Sequence, residues 1–212
     1  MQYISLEKQK EIMLELHLRG RDIVDKKILR AMVEVPREEF IPERYQRFTY
    51  RDIPLLIGYG QTISQPYTVA YSIQSLGPKE YNIVLDIGTG SGYQAAVLSR
   101  ICRMVITIER IPELAERARK TLKRLGYTNI EVVIGNGVLG YPRYAPYDGI
   151  VCAAATEILP VKWGEQLRDG GTIIYPKNAG VSQKLMRVTK KGNIFTEEML
   201  GNFSFVPLVD QE

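Results

Sequence analysis

Val84-Leu-Asp-Ile-Gly-Thr-Gly-Ser-Gly-Tyr93 decides how the rest of this chain is read. Ile83 to Ile87 is a short, β-branched apolar run with the composition of a buried central strand, and three alternate glycines separate it from the helix-forming Gln94-Ala-Ala-Val-Leu98. The order is strand, glycine loop, helix. Such a loop lets backbone approach a ligand where a side chain would collide, and it aims the free N–H groups of the new helix at that ligand.

Spacing narrows the ligand. A dinucleotide fingerprint needs its third glycine three residues after the second, at position 93, but that residue is Tyr93 and Gly92 comes one earlier. Asp86-x-Gly88-x-Gly90-x-Gly92 instead resembles the first motif of class I methyltransferases that use S-adenosylmethionine, in which the loop approaches the amino-acid part of the cofactor. Other nucleotide binders and an ordinary tight turn stay open at this point, although a turn explains one glycine better than three.

The 212 residues are 45% hydrophobic and 25% charged, which suits one domain over residues 1–212. Residues 1–80 would supply N-terminal helices and covering loops, and residues 81–212 a cofactor-binding core. The longest apolar stretches are strand-length, and Met1 to Lys10 carries charges where a signal peptide needs an apolar core, so the expectation is a cytoplasmic protein with no membrane association. Cys102, Cys152 and the single histidine, His17, cannot complete a usual zinc set without carboxylates, and no metal is expected. Cys152 reads as a reduced core thiol and Cys102 as a surface thiol. The net charge of +4 arises from 28 Lys and Arg against 24 acids. The densest basic cluster, Arg117-Ala-Arg-Lys-Thr-Leu-Lys-Arg124, reads as a solvated helix face, and no nucleic-acid partner is expected.

The N-terminal part reads as helical, with Ser5 capping a helix to about Arg19 and Asp22 capping a second that Val35-Pro36 stops. A loop-rich stretch with Pro42, Pro54, Gly58, Gly60 and Pro66 leads to a helix over 68–76, and its apolar content suits a path laid over something rather than a linker. From Ile83 strands and helices alternate: strands at 83–87, 104–108, 130–134, 149–154 and 172–175, helices at 113–125 and 160–167, and closing strands at 183–189 and 202–206. This pattern implies an α/β fold, a doubly wound, mostly parallel Rossmann-like sheet with N-terminal helices and added C-terminal strands.

In such sheets ligands bind beyond the carboxyl ends of the strands, where the glycine loop, Glu109 and Asn136-Gly137 all fall. Glu109 ends the second strand, where a carboxylate can accept from both ribose hydroxyls. Asn136 would lie near the adenine edge; Asn136-Gly137 as a plain turn is the alternative.

Leu29-Arg-Ala-Met-Val-Glu-Val-Pro-Arg-Glu-Glu-Phe-Ile-Pro42, Tyr50-Arg-Asp-Ile-Pro-Leu55, Gly58-Tyr-Gly-Gln-Thr-Ile-Ser-Gln-Pro66, Ala145-Pro-Tyr-Asp148 and Phe205-Val-Pro-Leu208 together resemble protein-L-isoaspartate O-methyltransferases, with Gln61 to Pro66 the most specific part. The resemblance implies methyl transfer from S-adenosyl-L-methionine to the free α-carboxyl of L-isoaspartyl residues in damaged proteins and peptides, after which the ester closes to a succinimide. It implies that Ser64 is the active-site serine and that Thr62, Ile63, Ser64, Asp86, Gly88, Thr89, Gly90, Gly92, Glu109, Arg110, Asn136 and Gly137 meet the cofactor. Ile63, Ser64 and Val206 would meet the substrate. Asn136 stands where the family commonly has aspartate, and its Asn-Gly pair is prone to deamidation, which would alter the cofactor site. Competing readings are a class I methyltransferase acting on RNA or a small molecule and a non-catalytic isoaspartyl-binding module. A serine that only caps the helix after it is the alternative role for Ser64. The lack of a His or Cys base is no objection, because a carboxylate with a pKa of about 4 is already ionised at neutral pH.

Overall fold

The computed structural model describes residues 4–179 and 182–210. The first three residues of the N-terminal segment and the last two of the 1–212 span lie outside them.

The core is a seven-stranded sheet in which a β-branched strand at the centre is buried on both faces, as the run Ile83 to Ile87 requires. Its strands are β3 (Ile83–Ile87), β4 (Met104–Glu109), β5 (Ile130–Ile134), β6 (Tyr147–Cys152), β8 (Leu167–Ala179), β9 (Ser182–Lys191) and β10 (Ile194–Phe203), in the order β10-β9-β8-β6-β3-β4-β5. The five from β8 to β5 are parallel; β9 and β10 extend the β8 edge as antiparallel strands. Two short pairs stand outside: the hairpin of β1 (Leu55–Gly58) and β2 (Gln61–Ile63), and β7 (Ala154–Ala155) with β11 (Val206–Pro207), which run parallel.

The period-2 alternation of a strand sorts residues between two faces. Val84, Val105, Val132, Val151 and Ile174 join one apolar cluster with α2 (Lys26–Glu34), α3 (Pro66–Leu76), α4 (Tyr93–Ser99) and α5 (Pro112–Arg124). Leu85, Ile87, Ile106, Ile108, Ile150 and Ile173 join the other, under Trp163 of α6 (Val161–Gln166). The sheet is thus covered on both sides.

Local chemistry shifts several boundaries. Ser5 caps α1 (Leu6–Ile12) by accepting the Lys8 N–H, and the helix continues in wider π turns over Met13–Arg19 to Gly20. The cap of α2 is Asp25, not Asp22; the Asp22 carboxylate accepts the Tyr67 hydroxyl at 2.8 Å. α3 starts at Pro66, two residues before the expected 68, because proline needs no N–H partner in a first turn and Asp52 accepts the Tyr67 N–H at 2.9 Å. Ser64 therefore does not cap it. Cys102 is a buried thiol rather than a surface one, since the chain turns inward at Ile101. The basic cluster on α5 is not simply solvated: Arg117 donates to the Ile57 carbonyl and pins the β1–β2 hairpin, and Arg119 donates to Val132. The closing strands run longer than expected, over 182–191 and 194–203, because Gly192 with φ +59° closes a tight reversal between them.

Asp86, inside β3, is fully buried. Its carboxylate accepts from Gln94 Nε2 at 2.8 Å and from the Thr107 hydroxyl at 2.7 Å, and Thr107 in turn meets the Thr89 hydroxyl at 2.7 Å. One carboxylate thus braces the strand, the loop and the helix that follows. Burial pushes the Asp86 carboxyl up to about 6, with the Gln94 and Thr107 hydrogen bonds pulling against it. Between about 6 and the ordinary 3.8 the folded state takes up a proton before the unfolded chain does, so this group adds stability as the pH falls through that window. In denaturant melts, the stability of the wild type relative to Asp86→Asn should rise by on the order of 2 kcal/mol from pH 7 to pH 4; a difference independent of pH would contradict the buried charge.

Candidate active site

The glycine loop leaves the end of β3 with Gly88, Gly90 and Gly92 at φ +91°, +53° and +90°, values that an L side chain resists. The N–H groups of Gly88 and Thr89 both donate to the Ile108 carbonyl, at 2.9 and 3.1 Å, so the loop is moored to the end of β4. That mooring sets the loop against the next residue, Glu109, whose carboxylate accepts the Gly90 N–H at 2.8 Å and the Ile111 N–H at 3.0 Å. A carboxylate offers about four lone-pair directions, so each oxygen keeps one for a ligand hydroxyl. Gly92 starts α4, and a Cβ there would press on Ala118 and Leu122 at 3.3 Å.

Beyond β5, Asn136 turns the chain into a short 3-10 segment by accepting the Val138 N–H at 3.0 Å. Its amide nitrogen donates to Asp210 at 3.1 Å, so both ends of the amide are engaged, and deamidation would remove that donor. Gly137 lies so close to the sheet that a Cβ would meet Ile87 Cγ2 at 2.5 Å, and its carbonyl accepts the buried Trp163 indole N–H.

Two cavities open at this end of the sheet. One is lined by Thr62, Gly88, Gly90, Glu109, Arg110, Ile111 and Gly137, and the C-terminal residues Val206 to Val209 cover it. That segment leaves about 80 Å3, below the roughly 300 Å3 of small-molecule pockets. The other holds about 750 Å3 and is lined by Ser64, Gln65, Arg21 and the aromatic group Tyr67, Tyr71, Phe203 and Phe205. Tyr71 stacks on Tyr67 at 5.5 Å and on Phe203 at 5.6 Å. Thr62, Ala153 and Val206 line both cavities, so the two meet at one shared wall.

The structure thus brings Thr62, Gly88, Gly90, Glu109, Arg110 and Gly137 to the first cavity, and Ser64 and Val206 to the second. Asp86, Thr89 and Gly92 line neither; they hold the loop from behind. Asn136 lines neither but caps the turn that presents Gly137. Ile63 is buried in the core against Leu55 of the hairpin. Sequence reasoning quoted Phe205-Val-Pro-Leu208 without giving Pro207 or Leu208 a role, and it missed Ala153, the aromatic wall and Arg37, which is fully buried and donates to the Ser64 carbonyl at 2.8 Å. The only signal for Arg37 was its place in the Val35-Pro-Arg segment. The C-terminal contacts arise from pairing between distant strands: Val206 pairs with Ala154, and the Leu208 N–H donates to Ala155 at 2.7 Å.

The family model for protein-L-isoaspartate(D-aspartate) O-methyltransferases matches residues 7–212. The protein-L-isoaspartate O-methyltransferase of Methanoculleus marisnigri is 44% identical over 204 residues, 96% of this chain and 93% of that one. A second such enzyme, from Nitrosococcus oceani, is 48% identical over 191 residues, 89% of this chain and 87% of that one. A solved protein-L-isoaspartate O-methyltransferase superposes with a TM-score of 0.84 at 31% identity, covering 95% of this chain; this chain spans 65% of it. A Plasmodium falciparum structure of the same description, in complex with S-adenosyl-L-homocysteine, gives 0.82 at 25% identity, with 96% and 99% covered. This chain belongs to the protein-L-isoaspartate(D-aspartate) O-methyltransferase family.

Proposed function

We infer that this protein transfers the methyl group of S-adenosyl-L-methionine to the free α-carboxyl of L-isoaspartyl residues in damaged proteins and peptides. One observation carries the reading: the cavity beside the glycine loop and Glu109 and the larger cavity beside Ser64 share the wall formed by Thr62, Ala153 and Val206. A group donated in the first has a short path to an acceptor in the second.

The residues present fit the cofactor. Gly88 and Gly90 leave backbone bare where a side chain would intrude, Glu109 keeps acceptor capacity for ribose hydroxyls, and Gly137 sits flat against Ile87 to leave room for a base. When bound, the cofactor supplies a methyl group activated by a sulfonium. Everything else falls to the chain. The acceptor carboxylate is ionised at neutral pH, so no side chain has to remove a proton. Ser64, which lines the larger cavity, would donate to one carboxylate oxygen and leave the other to attack. Tyr67, Tyr71, Phe203 and Phe205 give the cavity an apolar side that displaces water from a bound peptide. The Gln183 side chain holds Phe205 by both its N–H and its carbonyl, which fixes the segment that carries Val206.

Damaged polypeptides, not nucleic acid, are the proposed partners, and the cytoplasm the proposed setting. Two buried free thiols suit a reducing compartment, and among the described residues no helix is long and apolar enough to cross a membrane.

Labelled methyl transfer to two peptides that differ only in L-isoaspartate versus L-aspartate tests the reading. Base-labile label should appear on the isoaspartyl peptide alone. Ser64→Ala should lower kcat by roughly 10- to 100-fold with cofactor affinity unchanged, the effect of losing one hydrogen bond to a charged group. A methylated Ser64 trapped in turnover would defeat the orienting role. Gly137→Ala should weaken S-adenosyl-L-homocysteine binding by more than about tenfold in calorimetry and destabilise the fold by about 1–3 kcal/mol, because its methyl has to push the turn away from Ile87; unchanged affinity would remove Gly137 from the cofactor site.

A further inference from the structure

Arg37 is a fully buried guanidinium that forms no ion pair among the described residues. Its Nε donates to the Thr49 carbonyl at 2.8 Å and an Nη to the Ser64 carbonyl at 2.8 Å, while the guanidinium stands 4.8 Å from the centre of the Tyr93 ring. The remaining nitrogen, Nη1, is buried with no hydrogen-bond partner. Among the described residues no carboxylate comes within ion-pair distance of it. The neighbouring acids are committed elsewhere: Glu38 accepts from the Tyr50 hydroxyl, Glu39 pairs with Arg124, Glu34 pairs with Arg30, and Asp52, whose charge reaches Arg37, accepts from the Tyr67 N–H and pairs with Arg21.

This arrangement is expensive if its purpose is packing alone. An unpaired buried cation costs more than a neutral side chain of the same length, and burial accordingly pulls the Arg37 pKa down. The location distinguishes the charge. Arg37 joins Tyr93, the first residue of the helix that follows the glycine loop, to the backbone of Ser64, a residue that lines the larger cavity. A positive charge in a poorly polarisable interior attracts an anion several ångströms away more strongly than it would in water.

We propose that Arg37 is a positioning residue for the transfer: it holds the Ser64 segment through its carbonyl and provides, next to that segment, a positive charge with no direct ion-pair partner that draws a substrate carboxylate to the Ser64 hydroxyl. This rests on the isoaspartyl reading above. It makes the site select for the ionised carboxyl itself, not only for the shape of the isoaspartyl linkage. No proton moves to or from Arg37.

The test compares an N-acetylated, C-amidated isoaspartyl peptide with the same peptide whose isoaspartyl α-carboxyl is a carboxamide, the latter used as a competitive inhibitor. The wild type should bind the carboxylate form at least about tenfold more tightly. Arg37→Met should reduce that ratio by at least about fivefold through a raised KM for the carboxylate form, with carboxamide inhibition and S-adenosyl-L-homocysteine affinity little changed. Arg37→Lys, which keeps the charge and loses the fork, should retain more of the ratio than methionine does. Equal weakening of both peptides in Arg37→Met, or an unchanged ratio, would reduce Arg37 to a structural brace and overturn the proposal. Should the methionine variant fail to fold, a wild-type ratio near one, or a lysine variant whose loss falls equally on both peptides, overturns it just as well. A wild type that methylates no isoaspartyl peptide refutes the functional reading instead, so the two failures are distinct.

Discussion

The two hydrogen bonds from the Gly88 and Thr89 N–H groups to the Ile108 carbonyl are the constraint on which the rest of this site depends. They form because β3 and β4 are parallel neighbours in register, with Ile87 beside Ile108, so both strands end at the same level. The loop is then fixed against Glu109, whose carboxylate closes on Gly90 and Ile111. Beneath it, the chain Asp86–Thr107–Thr89 ties the same two strands together. A loop of glycines has high conformational entropy, and it takes this number of anchors to hold it in one shape.

Two fully buried ionisable groups, Asp86 and Arg37, carry the cost of that order. Neither is neutralised by an ion-pair partner, and each is held by hydrogen bonds from elements far apart in the chain. Asp86 joins strand to helix; Arg37 joins the loop at Thr49, the serine segment and Tyr93. An apolar core of the same volume would be more stable but would not fix the direction in which these segments leave it. The hairpin, held by Arg117 from α5, and the C-terminal segment, paired through Val206 and Leu208, both reach the cavity at the strand ends.

Much of the fold and part of the site were legible in the sequence, and the misses share a cause. The strands β3 to β6 read correctly because their patterns are local. The cap of α2 was misplaced because Asp22 and Asp25 have equal capping chemistry, and only the packing of α3 decides that Asp22 serves Tyr67. Ser64 looked like a cap because the carboxylate that caps α3 comes from Asp52, outside the helix. The charges of Arg117 and Arg119 looked solvated because their carbonyl partners, Ile57 and Val132, lie in other elements.

The sequence by itself determined the family, the order of strands and helices, and the proposed cofactor residues at the ends of two neighbouring strands, Gly88, Gly90 and Glu109, because these depend on periodicity and on the conformational freedom of glycine within a few residues. The tertiary structure alone decided which residues form the wall between the two cavities and which support it from behind. Thr62, Ala153 and Val206 meet there through strand pairings that span most of the chain, and Asp86, Thr89 and Arg37 are turned inward by packing. Local sequence sets where a chain turns; which side chains face each other across a cleft is fixed only when distant segments bury their apolar surface together.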